Sequence, residues 1–149
     1  MIHIKGDIVI DRPVEDVFDY VADECNEPSY NAQMRHAEKI SDGPIGVGTQ
    51  YRAEVVSRGR PVSMVIEFTE YERPRRLASK TTMSAMNIAY TLTFEPVGEG
   101  TRMGWSGEIE PHGMLKLMGP LVGWMGRRQE RRIWTGLKGL FEGKEGSAL

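Results

Sequence analysis

Imidazole titrates near neutrality, so His112, with Glu108 and Glu110 close by in sequence, is the first acid/base candidate in this chain. Strand alternation sets both glutamates opposite Trp105 and Ile109, on the face expected to meet water, and His112 itself falls in a loop. Serine, histidine and aspartate occur without the spacing of a nucleophile elbow, which gives hydrolase chemistry little support. Cys25, near the end of the first predicted helix, reads as a small buried hydrophobe and not as a nucleophile. Gly43-Pro44-Ile45-Gly46-Val47-Gly48 is glycine-rich, but no Lys-Ser/Thr follows it, and a hairpin turn accounts for its glycines where a phosphate cradle would not.

Binding chemistry is better represented. Tyr30, Tyr51, Tyr90 and Trp105 place a hydroxyl or an indole N–H on otherwise apolar faces, and a buried donor needs a partner, either a ligand oxygen or the protein itself. Of nine methionines, Met64, Met83, Met86, Met103, Met114, Met118 and Met125 fall on or near predicted inner faces, as core filling or as an adaptable lining. Arg127, Arg128, Arg131 and Arg132 form a basic cluster relieved only by Glu130. Its plain interpretation is a solvated helix face, and its sharper one a site for a phosphate or carboxylate at a cavity mouth.

Composition narrows the classes. The chain has 149 residues, 40% apolar and 27% charged, enough for one domain over 1–149 with a sizeable core. A net charge of -2 provides no global field for nucleic acid. With Cys25 alone and only His3, His36 and His112, neither an internal disulfide nor a metal set is expected, and no cofactor is called for. Residues from Met1 to Asp7 alternate in polarity like a strand and unlike a signal peptide, so the expected address is the cytoplasm.

The elements that must position these groups follow from periodicity. Ile2, Ile4, Ile8 and Ile10 alternate with polar residues, predicting a strand with an inward even face and a bulge at Gly6. Pro13 suits a first helical position, capped by Asp11 or Arg12. Val14, Val17, Phe18, Val21 and Ala22 form one buried stripe ending near Asp23 to Asn26. Six strands are predicted at Met34–Ser41, Thr49–Arg58, Val62–Tyr71, Arg76–Thr82, Asn87–Glu95 and Thr101–Glu110, with intervening turns short enough to enforce antiparallel pairing. A helix is then expected from Met114 to Glu142, its inner stripe being Met118, Val122, Met125, Ile133, Leu137, Leu140 and Phe141. A bend or separate first turn is expected near Gly119-Pro120, and a frayed tail over Gly143 to Leu149. The apolar run from Met114 to Gly126 is shorter than the ~20 residues that span a bilayer.

Four segments carry a resemblance: Ile10-Asp11-Arg12-Pro13-Val14-Glu15-Asp16-Val17-Phe18, Pro28-Ser29-Tyr30-Asn31, the run from Gly43 to Thr49, and Phe68-Thr69-Glu70-Tyr71-Glu72-Arg73-Pro74-Arg75-Arg76-Leu77. Over nearly its whole length the chain resembles the START-like (helix-grip) superfamily, and within it the polyketide cyclase/dehydrase and lipid-transport group. The resemblance implies an α+β fold: a curved antiparallel sheet of about seven strands around a long C-terminal helix, two short helices after the first strand, and a cavity between sheet and helix.

The expected function is binding of a small hydrophobic molecule such as a lipid, a quinone or a polyketide-like aromatic. The cavity would be lined by Tyr30, Tyr51, Met64, Ile66, Tyr90, Met103, Trp105, Met118, Val122 and Met125. The alternative is a cyclase/dehydratase-type enzyme, which needs a titratable group inside, with His112 and Glu67 as the residues to watch. A third class is an interaction module with a filled cavity, a homodimer among its forms. Neither nucleic acid nor stable membrane insertion is expected of any of them.

Overall fold

The computed structural model describes residues 2–57 and 59–147. Arg58, the expected end of one strand, therefore lies outside the described residues, as do Met1, Ala148 and Leu149. The element order is β1 (Ile2–Ile10), α1 (Val14–Ala22), a 3-10 helix η1 (Glu24–Ser29), β2 (Met34–Lys39), β3 (Gln50–Ser57), β4 (Arg60–Glu72), β5 (Arg76–Thr82), β6 (Met86–Val97), β7 (Gly100–Pro111), a second 3-10 helix η2 (Gly113–Met118) and α2 (Gly119–Ser147). All seven strands form one antiparallel sheet in the order β1-β7-β6-β5-β4-β3-β2. Register shifts between Met34 and His36 and between Phe68 and Glu70 insert bulges into β2 and β4, which add bend and twist to the sheet. The helix-grip architecture is as the sequence implies.

The concave face holds the core. Phe18 of α1 is fully buried and meets Tyr71 and Phe94 edge-on at 5.3 and 5.0 Å, a contact worth about 1.5–3 kcal/mol in burial alone. Pro13 is the N-cap residue of α1, in place of Asp11 or Arg12, and Val14 is the first residue of the helix. Gly6 is not a bulge: β1 pairs with β7 without a shift, and Gly6 lies opposite Trp105. A Cβ there would stand 2.4 Å from the indole, so the glycine is the notch into which Trp105 lies.

The expected break before Gly119 is present as the change from η2 to α2, and α2 continues through Ser147, past the predicted end at Glu142. The predicted inner stripe holds for Ile133 and Leu137, which are buried, and for Leu140 and Phe141, which pack partly buried against the core. It fails upstream, where Met118 and Met125 are exposed. There the sheet-facing positions are glycines: Gly126 approaches Ile109 and Ile4, and Gly123 approaches Ile2. The isoleucines of β1 and β7 occupy the space that helix side chains would otherwise fill. The other end of α2 is bolted down. Lys138 Nζ donates to the Val9 carbonyl at 2.7 Å, Arg12 donates to the Phe141 carbonyl at 2.8 Å, and the Asp11 N–H donates to Glu142 at 3.1 Å.

Candidate functional site: a Trp–Tyr–Glu hydrogen-bond chain beside an open cleft

Tyr90 of β6 projects inward and meets α2. Its hydroxyl donates to Glu130 Oε2 at 2.6 Å and accepts the indole N–H of Trp134 at 2.9 Å. Glu130 and Trp134 are one helical turn apart, so both project from one face of α2. Loss of water around its carboxylate pushes Glu130 up to about 7, although Tyr90 opposes the shift by donating to it. The Tyr90 hydroxyl moves well above its ordinary range for the same reason, with the Glu130 charge adding to the effect.

Trp134 is the hub of an aromatic wall, with ring centroids 5.8 Å from Tyr30, 6.5 Å from Tyr90 and 6.3 Å from Trp105. Behind Tyr30 lie two acids of η1. Glu27 accepts from the Asn31 amide at 2.8 Å, while burial first and the Glu27 charge second hold Glu24 toward its protonated form. Among the described residues the buried Tyr30 hydroxyl and Glu24 Oε2 have no hydrogen-bond partner. Such groups cost free energy unless something satisfies them.

Beside this wall a cleft of about 690 Å³ opens between α2 and the segment joining η1 to β2. Tyr30, Asn31, Ala32 and Gln33 form one side, and Trp124, Met125, Arg128, Gln129, Arg132, Ile133 and Gly136 the other. Gly136 permits the close approach of the two sides: a Cβ on it would stand 2.6 Å from the Tyr30 carbonyl. A second hollow, of about 630 Å³, lies on the opposite face of the sheet among Lys5, Asp7, Arg76, Thr91, Thr93 and Ser106.

Of the ten residues predicted to contact a ligand, Tyr30 and Met125 line the cleft. Tyr90 and Trp105 belong to the wall behind it. Tyr51, Ile66 and Met103 are packed in the core, the Tyr51 hydroxyl lying 3.5 Å from the Ala22 carbonyl. Met64 is half-buried against the core, Val122 is half-buried on α2, and Met118 is exposed on η2. The basic cluster divides: Arg128 lies over Trp124 and lines the cleft with Arg132, whereas Arg131 lies over Trp105 at 5.3 Å and Arg127 is exposed. His112 stays in its loop, a ring nitrogen 3.3 Å from the Ser84 carbonyl. Glu67 alternates with inward Ile66 and Phe68 and accepts from Gln50 at 2.8 Å, so it belongs to the other face. Cys25 is exposed, not buried: α1 ends at Ala22 and Asp23 begins η1 by accepting the Cys25 N–H. Desolvation and Asp23 push its thiol up, away from the reactive thiolate.

Glu130 is the residue that sequence reasoning passed over. Standing among four arginines it resembles a surface charge, yet it is four residues before Trp134 and seven before Leu137, on the buried stripe. That spacing was the available signal. Among the described residues no group of three or more His, Cys, Asp or Glu is arranged to hold a metal, and no helix is long and apolar enough to cross a membrane.

The sequence matches the family described as polyketide cyclase / dehydrase and lipid transport over residues 1–142. The chain belongs to this family. Solved structures of similar fold include a START superfamily protein from Mycobacterium smegmatis, with a TM-score of 0.83 and 14% identity over 95% of this chain and 97% of that one. The aromatase/cyclase Zhui from a Streptomyces species gives a TM-score of 0.81 and 12% identity over 94% and 93%. A protein from Thermus thermophilus gives 0.79 and 21% over 91% and 94%. At these identities the likeness concerns the fold. No curated protein matches the chain in sequence.

Proposed function

We propose that this member of the polyketide cyclase/dehydrase and lipid-transport family binds a small hydrophobic molecule in the cleft between α2 and the η1–β2 segment. The observation that carries this is a cleft of about 690 Å³ whose lining brings Trp124, Met125 and Ile133 of α2 against the segment from Tyr30 to Gln33. Met125, Trp124 and Ile133 offer apolar surface, and Arg128 and Arg132 cationic edges. Native mass spectrometry of the purified protein, with extraction and identification of whatever dissociates, tests the proposal. A discrete hydrophobic mass is expected, lost or weakened in Trp124→Ala, which strips apolar surface from the cleft. An apo mass together with failure to bind a hydrophobic probe overturns it.

A second reading rests on Glu130. An enzyme of the cyclase/dehydratase type must take a proton from an acidic carbon and return one to a departing oxygen, and a carboxyl near 7 suits both tasks at neutral pH. Glu130 would exchange the proton and Tyr90 would hold the carboxylate in place. Its test is turnover of a poly-β-ketone probe. Glu130→Gln should leave probe binding intact while abolishing cyclised product, and equal product from both proteins removes Glu130 from any such chemistry.

A further inference from the structure

The sheet-facing glycines of α2 leave its apolar side chains on the outside. Met114 and Leu117 of η2 are 82% and 84% exposed, and Leu121, Trp124 and Met125 follow along the same surface at 43%, 54% and 48%. Leu121, Trp124 and Met125 recur at helical spacing on α2, and with the neighbouring Met114 and Leu117 of η2 they make a cluster of exposed apolar side chains and not scattered surface hydrophobes. From Gly113 to Gln129 the sequence contains Lys116, Arg127 and Arg128 and no acidic residue, in a chain whose net charge is -2.

We infer that this face docks on an anionic lipid surface. Apolar residues with a tryptophan among them, flanked only by cations, match an interface that is greasy below and negatively charged above. The segment is too short to cross a bilayer and so would lie in the headgroup plane. A second copy of the chain fits less well, because a twofold pairing of this cluster would bring Lys116, Arg127 and Arg128 toward their own counterparts. Trp124 and Met125 also line the cleft, so docking would turn the cleft mouth toward the lipid; the docking itself stands without any ligand in the cleft.

Flotation of the full chain with vesicles tests this, using phosphatidylcholine alone and a three-to-one mixture of phosphatidylcholine with phosphatidylglycerol. The protein should float with the mixed vesicles, shift its tryptophan emission to the blue, and be released by salt. Leu117→Ser with Leu121→Ser should reduce flotation at least about fivefold, and Lys116→Gln with Arg127→Gln about 25-fold, given about fivefold for each basic residue at a charged membrane. All four side chains are exposed, so circular dichroism should show both variants folded. Absence of flotation with either vesicle, or equal flotation of the double serine variant, overturns the inference. So does a dimer in solution that the serine variant dissociates while vesicles bind neither protein, which would assign the face to a second copy.

Discussion

The two halves of α2 share one helix and do opposite work. From Ile133 onward, large side chains enter the core, with Trp134 gripped by three aromatic rings and the following turns tied to Val9, Asp11 and Arg12. Before Glu130 the helix lies on the sheet through Gly123 and Gly126 and presents leucine, tryptophan and methionine to the outside. A helix can therefore be anchored by one half and leave the other free to meet a ligand or a surface. Glu130 stands at the junction, on the buried stripe but with its carboxylate poised near neutrality.

The sharpest way to break the comparison is to cut the anchored half. Trp134→Ala should cost about 3–5 kcal/mol, read as a loss of midpoint in urea unfolding; a loss below 1 kcal/mol would mean that the half is not the anchor. Gly136→Ala places a methyl 2.6 Å from a backbone carbonyl, and because backbone yields little, a net cost of about 1–3 kcal/mol is expected despite alanine's better helix propensity. Tyr90→Phe leaves the Trp134 N–H and the Glu130 carboxylate without their partner, for about 1–3 kcal/mol by the same measurement.

At the junction the effect depends on pH. Glu130 rises from 4.5 to about 7 on folding, so the fold favours the protonated form. That contribution is complete below about pH 4.5 and is lost as pH climbs through 7, up to about 3 kcal/mol at 1.36 kcal/mol per pH unit. Tyr90, Trp134, Glu27 and Tyr30 surround the group, and Glu130→Gln keeps an acceptor for Tyr90. The variant should therefore gain stability relative to the parent between pH 5 and pH 8; a constant difference would show that Glu130 does not titrate there. The smallest effect belongs to the free half, where Leu121→Ser should change stability by no more than about 0.5 kcal/mol. A large loss there would erase the distinction.

How much of this was legible in the sequence follows the same division. Turn glycines and prolines, with period-two alternation from Tyr51 to Ile109, specify the strands because a half-buried sheet leaves that imprint on each of them. Periodicity defines a helix face without saying which side meets the sheet. In α2 the sheet-facing line runs through Gly123, Gly126, Glu130, Trp134 and Leu137, the second and third of these half-buried, and two glycines and a glutamate disguise it as surface. Met118 and Met125 fit the apolar template better, so the periodicity predicts them inward. Tyr90 faces inward, as strand alternation predicts, but the partner of its hydroxyl is supplied by an element 40 residues away, which spacing alone does not reveal. The cleft is equally illegible, since its sides come from η1–β2 and α2.

The strand order has a consequence for how the chain acquires its structure. β1 and β2 are neighbours in sequence but occupy opposite edges of the sheet, and among the described residues β1 pairs only with β7, Ile2 lying across from Ile109. Ile4 and Ile10 therefore have no strand partner until more than a hundred residues have been made, and the contact that closes the sheet is among the most distant in the chain. During synthesis on a ribosome the first strand must wait, greasy and unpaired, for the last, and pairing across so long a stretch of chain slows folding.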